Sequence, residues 1–205
     1  YSDIWTVNGN VAATVLVSMT LYGVFMTTAS LATNAALERT SGISRLYATT
    51  PLSPIANTCA RIGASMGIAV VITGITYAVG AATGAKMYAS AWIQTPLLIL
   101  ASSILASAQG LAMAFAVRSD GAFAASSAVT VFSGFLSGMF IPISQMGSFF
   151  QAVAPYAPMY GITSLVQLPL YGWETFKWSY VVNLVAWTLF FILLAAWAQR
   201  RDTSR

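Results

Sequence analysis

Long apolar runs separated by short polar segments are the dominant pattern along this chain. A helix needs roughly 20 apolar residues to cross the hydrocarbon core of a bilayer, which is about 30 Å thick. Five runs reach that length without an Asp, Glu, Lys or Arg: Asn10 to Asn34, Ile62 to Ala85, Trp92 to Val117, Gly121 to Ile141 and Trp178 to Ala198. The pattern predicts an all-α, polytopic membrane protein with five spanning helices in a single transmembrane domain, residues 1–205.

The segment between the fourth and fifth runs, residues 142–176, is semi-apolar but repeatedly interrupted by proline: Pro142, Pro155, Pro158 and Pro169. Proline removes a backbone hydrogen bond from a helix interior, and its ring clashes with the preceding turn. We therefore expect short helices that dip into one face of the membrane or lie on it, and no spanning helix. The aromatic residues of this segment suit the membrane interface first and a gate second.

Composition supports a lipid environment. Of the 205 residues, 58% are hydrophobic and only 7% are charged. Soluble domains carry about 25% charged residues, because polar groups must cover much of their surface. A soluble fold is therefore excluded.

Candidate chemistry is sparse. The chain has no histidine, and Cys59 is its one cysteine, which excludes disulfides and Cys/His metal sites within one chain. The acidic residues are scattered and form no paired-carboxylate or nucleophile–base arrangement, so an enzyme is not expected. The arginines form no basic patch, so nucleic acid is not an expected partner.

Basic residues are distributed unevenly between the segments that join the runs. If the first run leads inward, the outer segments hold only Lys86 and Lys177, and the inner segments hold every arginine: Arg39, Arg45, Arg61, Arg118, Arg200, Arg201 and Arg205. Basic residues are enriched on the cytoplasmic side of membrane proteins. The sequence thus predicts a multi-pass protein of the cytoplasmic membrane, with residues 37–54 inside and residues 142–176 outside.

The stretch LERTSGISRLYATTPLSP, Leu37 to Pro54, concentrates charge directly after the first run. At about 100° per residue, Glu38, Gly42 and Arg45 share one helical side, and apolar residues including Leu46 share the other. This pattern predicts a short amphipathic helix over Leu37 to Thr50, stopped by prolines. Composition alone favours a topology anchor, whereas the two charge signs and the small Gly42 favour a docking surface.

The pattern also bears on the energy source. Carriers driven by protons or ions usually hold ionisable residues or broken helices within the membrane, and the five runs contain no ionisable side chain. No G-x-x-x-x-G-K-[ST] phosphate loop is present either. We therefore expect a transport protein that is driven by ATP hydrolysis on a separate ATPase subunit. A channel or secondary carrier without an ATPase, and a membrane scaffold, are the alternatives.

Two further features concern packing between helices. Three G-x-x-x-G pairs occur, at 63/67, 80/84 and 134/138, and internal helix contacts are their expected use. The third run has a polar side formed by Ser102, Ser103, Ser107 and Gln109. We expect this side to make interhelical hydrogen bonds, with the lining of a substrate path as the alternative.

The charged stretch and the broken segment together resemble the permeases of ABC-2-type exporters. In that family a span leads into E-R-x-x-G, a leucine and T-P-L-S, matched here by Glu38, Arg39, Gly42, Leu46, Thr50, Pro51, Leu52 and Ser53. The later stretch SGMFIPISQMGSFFQAVAPYAPMYG, Ser137 to Gly161, is similar to the family's Gly-x-x-x-Pro ending and its extracellular segment.

The resemblance implies a coupling helix, seated on a separate ATP-binding subunit, formed by Glu38, Arg39, Gly42, Arg45, Leu46, Thr50 and Pro51. It implies two permease chains around a substrate path, closed on the outside by Pro142, Phe149, Phe150, Pro155, Tyr156 and Pro158. ATP and Mg²⁺ would bind to the partner, so this chain itself needs no cofactor. The family normally has six spans and an inner N-terminus, so the resemblance also implies a further span before the first run.

Overall fold

The computed structural model describes residues 7–41, 54–117 and 119–202. This part of the chain is almost entirely helical and contains no strand, which confirms the predicted all-α, polytopic membrane protein. Four of its helices are long and apolar enough to span a membrane, and a fifth apolar helix is shorter. The long elements are α1 (Val11–Thr33), α3 (Pro54–Ala82), α4 (Ala89–Ala116), α5 (Ser119–Leu136) and α8 (Trp178–Asp202).

Short helices make up the remainder. A six-residue helix, α2 (Ala35–Thr40), follows α1. Between α5 and α8 the chain forms α6 (Ser148–Val153) and α7 (Tyr160–Tyr171), together with 3₁₀ turns at Ile143–Gln145, Ala154–Tyr156 and Trp173–Thr175. We call residues 137–171 the broken segment. Its division into short helices confirms the effect expected from its prolines.

Consecutive long helices run in opposite directions, and α1 and α4, which are parallel to each other, lie at the centre of the bundle. One end of the bundle, the Asn8 end, comprises residues 7–10, 84–88 and 170–178. The opposite end, the Glu38 end, comprises residues 34–41, 114–117 and 200–202. Lys86 and Lys177 lie at the Asn8 end, and Arg200 and Arg201 lie at the other, which matches the predicted separation of basic residues for this part of the chain.

The fourth apolar run is shorter as a helix than predicted, because α5 ends at Leu136 and does not continue to Ile141. The N–H of Gly138 donates to the Phe135 carbonyl (3.3 Å), and the N–H of Met139 donates to the Gly134 carbonyl (3.4 Å). These two bonds, with Gly138 at φ +77°, form a Schellman cap. Glycine adopts this left-handed conformation without steric cost, so the helix stops there despite the apolar residues that follow.

The amphipathic helix predicted over Leu37 to Thr50 falls only partly within the described residues, and helical backbone there starts two residues before Leu37. The structure begins α2 at Ala35, one residue after α1, and Asn34 between them keeps helical backbone angles. The chain therefore runs on from the span with little change of direction. This helix ends at Thr40, with the N–H of Ser41 donating to the Leu37 carbonyl (2.9 Å).

Candidate functional site

The α2 helix is held to the bundle by a small cluster of alanines. Ala35 and Ala36 of α2 are buried against Ala114 near the end of α4 and Ala122 near the start of α5. Alanine has no side-chain rotamers to restrict, so four alanines allow the three helices to approach closely at little entropic cost. A displacement of α2 would therefore press directly on the ends of α4 and α5.

Two of the predicted coupling residues belong to α2. Glu38 is half-buried in its last turn, and Arg39 follows it on the same helix. The other residues predicted for the coupling helix lie outside the described residues: Gly42, Arg45, Leu46, Thr50 and Pro51. Their role stays a prediction.

The broken segment is anchored in the bundle by α7. Most of this helix is buried, and it packs among α1, α4 and α8. The Thr163 hydroxyl bonds the Ser137 hydroxyl at the end of α5 (3.2 Å), and the Gln167 amide donates to the Ser18 hydroxyl of α1 (3.1 Å). With twelve residues, α7 is about 18 Å long and reaches only part of the way along the bundle.

Contacts on α1 and α8 show how deep the broken segment lies, both at its start and at the break between α6 and α7, residues 154–159. The Tyr22 and Phe140 rings meet edge to face at 5.2 Å, and Tyr22 lies about 16 Å along α1 from its first residue. The Trp187 indole donates to the Tyr156 carbonyl (3.0 Å) from about 13 Å along α8. The segment thus reaches between about a third and half of the way along the bundle, and α7 returns from there to the Asn8 end.

The predicted gate residues lie around this break, and most of them are exposed. Phe149 and Phe150 pack edge to face (5.6 Å), and Phe150 also contacts Phe135 of α5 (6.3 Å). The Phe149 side chain is 70% exposed and that of Tyr156 is 76% exposed. Of the three prolines assigned to the gate, Pro142 and Pro155 are exposed and Pro158 is half-buried. The structure places Phe150 beside Phe135 and Tyr156 beside Trp187, and the gating role of the six residues stays a prediction.

Two asparagines before α1 fasten the Asn8 end. Asn10 is fully buried; its side-chain amide donates to the Gly84 carbonyl (2.9 Å), and its oxygen accepts from the Lys86 N–H (3.0 Å). Asn8 bonds the last turn of α7 twice, through its backbone to Leu170 (2.9 Å) and through its side chain to Pro169 (3.1 Å). The C-terminal half of α7 is therefore fixed at the Asn8 end.

Two side chains of α8, those of Asn183 and Trp187, bind the backbone of the break, and neither was predicted from the sequence. The Asn183 oxygen accepts from the Gly161 N–H (3.0 Å), and its amide donates to the carbonyls of Pro155 (2.9 Å) and Ala157 (3.2 Å). Trp187 lies four residues later on the same helical face, and its indole N–H donates to the Tyr156 carbonyl between those two. A usable signal was present, because an asparagine inside an apolar span needs a polar partner.

The polar side of the third run makes an interhelical bond, as expected. Gln109 of α4 is fully buried, and its amide donates to the Thr130 hydroxyl (2.8 Å) and the Ser126 carbonyl (3.3 Å) of α5. Ser102 bonds only within its own helix, to the Ile99 carbonyl (2.5 Å). The bond from Gln109 links α4 to the helix that carries the broken segment at its end.

Comparison with known protein families agrees with this architecture. A family model described as ABC-2 family transporter protein matches residues 6–197, which is nearly the whole chain. The chain has no significant match among curated proteins or among solved structures. The match includes α1, the charged stretch after it, the broken segment and most of α8. The chain therefore belongs to the ABC-2 family of transporter proteins.

Proposed function

We propose that this permease is the membrane-spanning subunit of an ATP-driven exporter of the cytoplasmic membrane. It would move a drug-, peptide-, lipid- or glycan-like substrate outward, using ATP hydrolysis by a separate ATP-binding subunit that holds the ATP and Mg²⁺. The observation that carries the proposal is the alanine contact at the Glu38 end. The family's E-R-x-x-G sequence begins on α2, and α2 is packed directly onto α4 and α5.

The proposed sequence of events follows from those contacts. Binding of the ATPase to residues 38–51 would move α2, and the alanine cluster would pass that motion to the ends of α4 and α5. Because α5 leads into the broken segment, motion of α5 would reach the region of Phe149, Phe150 and Tyr156. A second permease chain would complete the substrate path, since the Phe149 and Tyr156 side chains are largely exposed on the single chain.

The partner is tested by co-expression with candidate phosphate-loop ATPases from the same organism. We expect one of them to purify together with two permease copies per complex, and ATP hydrolysis to depend on the permease. The measurements are the mass of the complex and its phosphate release. Transport that follows a proton gradient and ignores ATP would contradict the proposal and support the carrier alternative.

Orientation is tested by labelling single cysteines in a chain whose Cys59 is replaced by serine. Lys86→Cys and Lys177→Cys should react in intact cells with a membrane-impermeant maleimide, because both positions lie at the predicted outer end. Gln199→Cys, near the end of α8, should react only after the membrane is made permeable. Reversed labelling would place the charged stretch outside the cell and remove its access to an ATPase.

A further inference from the structure

The break between α6 and α7 leaves backbone carbonyls that no regular helix satisfies. Irregular backbone at membrane depth is tolerated only where protein groups or water satisfy it. The carbonyls of Pro155 and Tyr156 lie in this position, beside the first half of α8. Their donors are therefore important to whether the break stays where the structure shows it.

Both donors come from one face of α8. Asn183 uses its side-chain oxygen and its amide together, so one residue binds both Pro155 within the break and Gly161 at the start of α7. Trp187 binds the carbonyl between them. A single helix face thus contacts the break through four hydrogen bonds of 2.9–3.2 Å.

Close packing accompanies these bonds. A Cβ atom at Gly161 would lie 2.3 Å from the Tyr180 carbonyl oxygen and 2.9 Å from the Asn183 oxygen. The rings of Tyr160 and Tyr180 meet at 5.7 Å beside this contact. The start of α7 therefore lies directly on α8, at a distance that only glycine permits.

The rest of the segment is held unevenly. The end of α7 is fixed by Asn8, whereas Phe150, ahead of the break, is in edge contact with Phe135 and is partly exposed. Edge contacts between rings give less directional restraint than hydrogen bonds to the backbone. Asn183 and Trp187 thus bind the backbone of the break itself, whereas the Thr163 bond to Ser137 holds the first turn of α7 to the end of α5.

We propose that Asn183 and Trp187 form a latch that holds the break on α8 and keeps the permeation path closed in the resting permease. The inference rests on the proposed transport function, for which it names the positioning residues of the gate. Hydrogen bonds between membrane helices are individually modest, so a motion passed along α5 could release such a latch reversibly. Release would free the break from α8 while Asn8 still holds the end of α7.

The test uses the purified full-length permease in liposomes, without ATPase or ATP. Potassium is trapped inside, and its efflux is followed with an impermeant potassium-sensitive dye. Asn183→Leu removes three hydrogen bonds at similar volume, and Trp187→Phe removes one donor while keeping an aromatic ring. Each variant should leak faster than the native permease. For Asn183→Leu we expect a leak about tenfold faster, because the loss of three hydrogen bonds shifts the equilibrium from the docked to the released break by roughly that ratio.

Thr188→Val is the matched control, because the Thr188 hydroxyl bonds only the Leu184 carbonyl within α8 (2.7 Å). It should leak at the native rate. If either latch variant purifies as a monodisperse species and leaks at the native rate, the latch proposal is wrong. If Asn183→Leu does not fold, Trp187→Phe decides alone, and failure of both to fold would show a purely structural role and overturn the latch.

The leak assay separates the latch from the exporter proposal, because it needs neither ATP nor the ATPase. ATP-coupled activity in native protein, together with tight latch variants, would reject the latch alone. Leaky variants in a permease that binds no ATPase would reject the exporter alone.

Discussion

Replacing Gly42 by leucine should abolish coupling to the ATPase while the permease still inserts in the membrane. The predicted docking side of the charged stretch includes Gly42, and a bulky side chain there would keep a partner surface at a distance. Glu38→Ala should have a similar effect through charge. Truncating one member of a desolvated, hydrogen-bonded charge pair at an interface costs about 2–5 kcal/mol. We therefore expect a loss of roughly 30-fold or more in affinity for the ATPase.

The measurements are co-purification of the ATPase and permease-dependent ATP hydrolysis. Glu174→Ala is the control for charge, since Glu174 lies in a turn at the opposite end of the bundle. Gly67→Leu is the control for size, because nothing lies within 4 Å of a Cβ at Gly67. If Gly42→Leu and Glu38→Ala bind the ATPase and support transport as the native chain does, the stretch is only a topology anchor.

Adding one methyl group at Gly110 should destabilise the bundle markedly. A Cβ atom there would lie 2.2 Å from the Ala29 carbonyl oxygen and 2.7 Å from the Ala32 Cβ, at the contact between α1 and α4. The obstacle is helix backbone and a short side chain, so neither can rotate away. Thr33 also bonds the Gly110 carbonyl (3.3 Å), and separation of the helices would strain that bond.

Overpacking of this kind costs about 1–3 kcal/mol. For a domain of this size, each kcal/mol corresponds to roughly 2–4 °C in midpoint temperature. Gly110→Ala should therefore unfold roughly 2–12 °C below the native chain in a thermal scan in detergent. Gly67→Ala is the matched control and should lose nothing, because it gains helix propensity without meeting an obstacle. Equal midpoints for the two variants would contradict the close contact in the structure.

The G-x-x-x-G pairs show how far a spacing motif can predict packing. Gly80 and Gly134 do face internal neighbours, Leu16 and Tyr22, as expected. Gly84 and Gly138 have positive φ angles and lie in the turns that follow their helices, so they are not part of a helix face. The pair at 63/67 meets nothing within 4 Å.

The tightest backbone approaches instead occur at Gly110 and Gly161, which belong to none of the pairs. Spacing places two glycines on one side of a helix, but it does not determine which side meets a neighbour. That depends on the rotation of the helix, which the whole bundle decides.

The sequence predicted that the broken segment forms short helices, but it did not predict how far the segment reaches into the bundle. Its prolines excluded a spanning helix, because that exclusion is a local property of the backbone. The early end of α5 at Gly138 was missed, because the run of apolar residues continues past the cap. Asn183 was missed as well, since its partners lie more than twenty residues away in sequence.

The sequence by itself determined the class of the protein, the positions of the long helices and the separation of the basic residues between the two ends. Lipid cannot satisfy the backbone, so a long apolar run is forced to be helical whatever surrounds it. Only the tertiary structure decided that α2 packs on α4 and α5, that the break lies beside the first half of α8, and that Asn183 and Trp187 hold it there. These are contacts between distant segments, and their geometry depends on how all the helices are rotated and placed against one another.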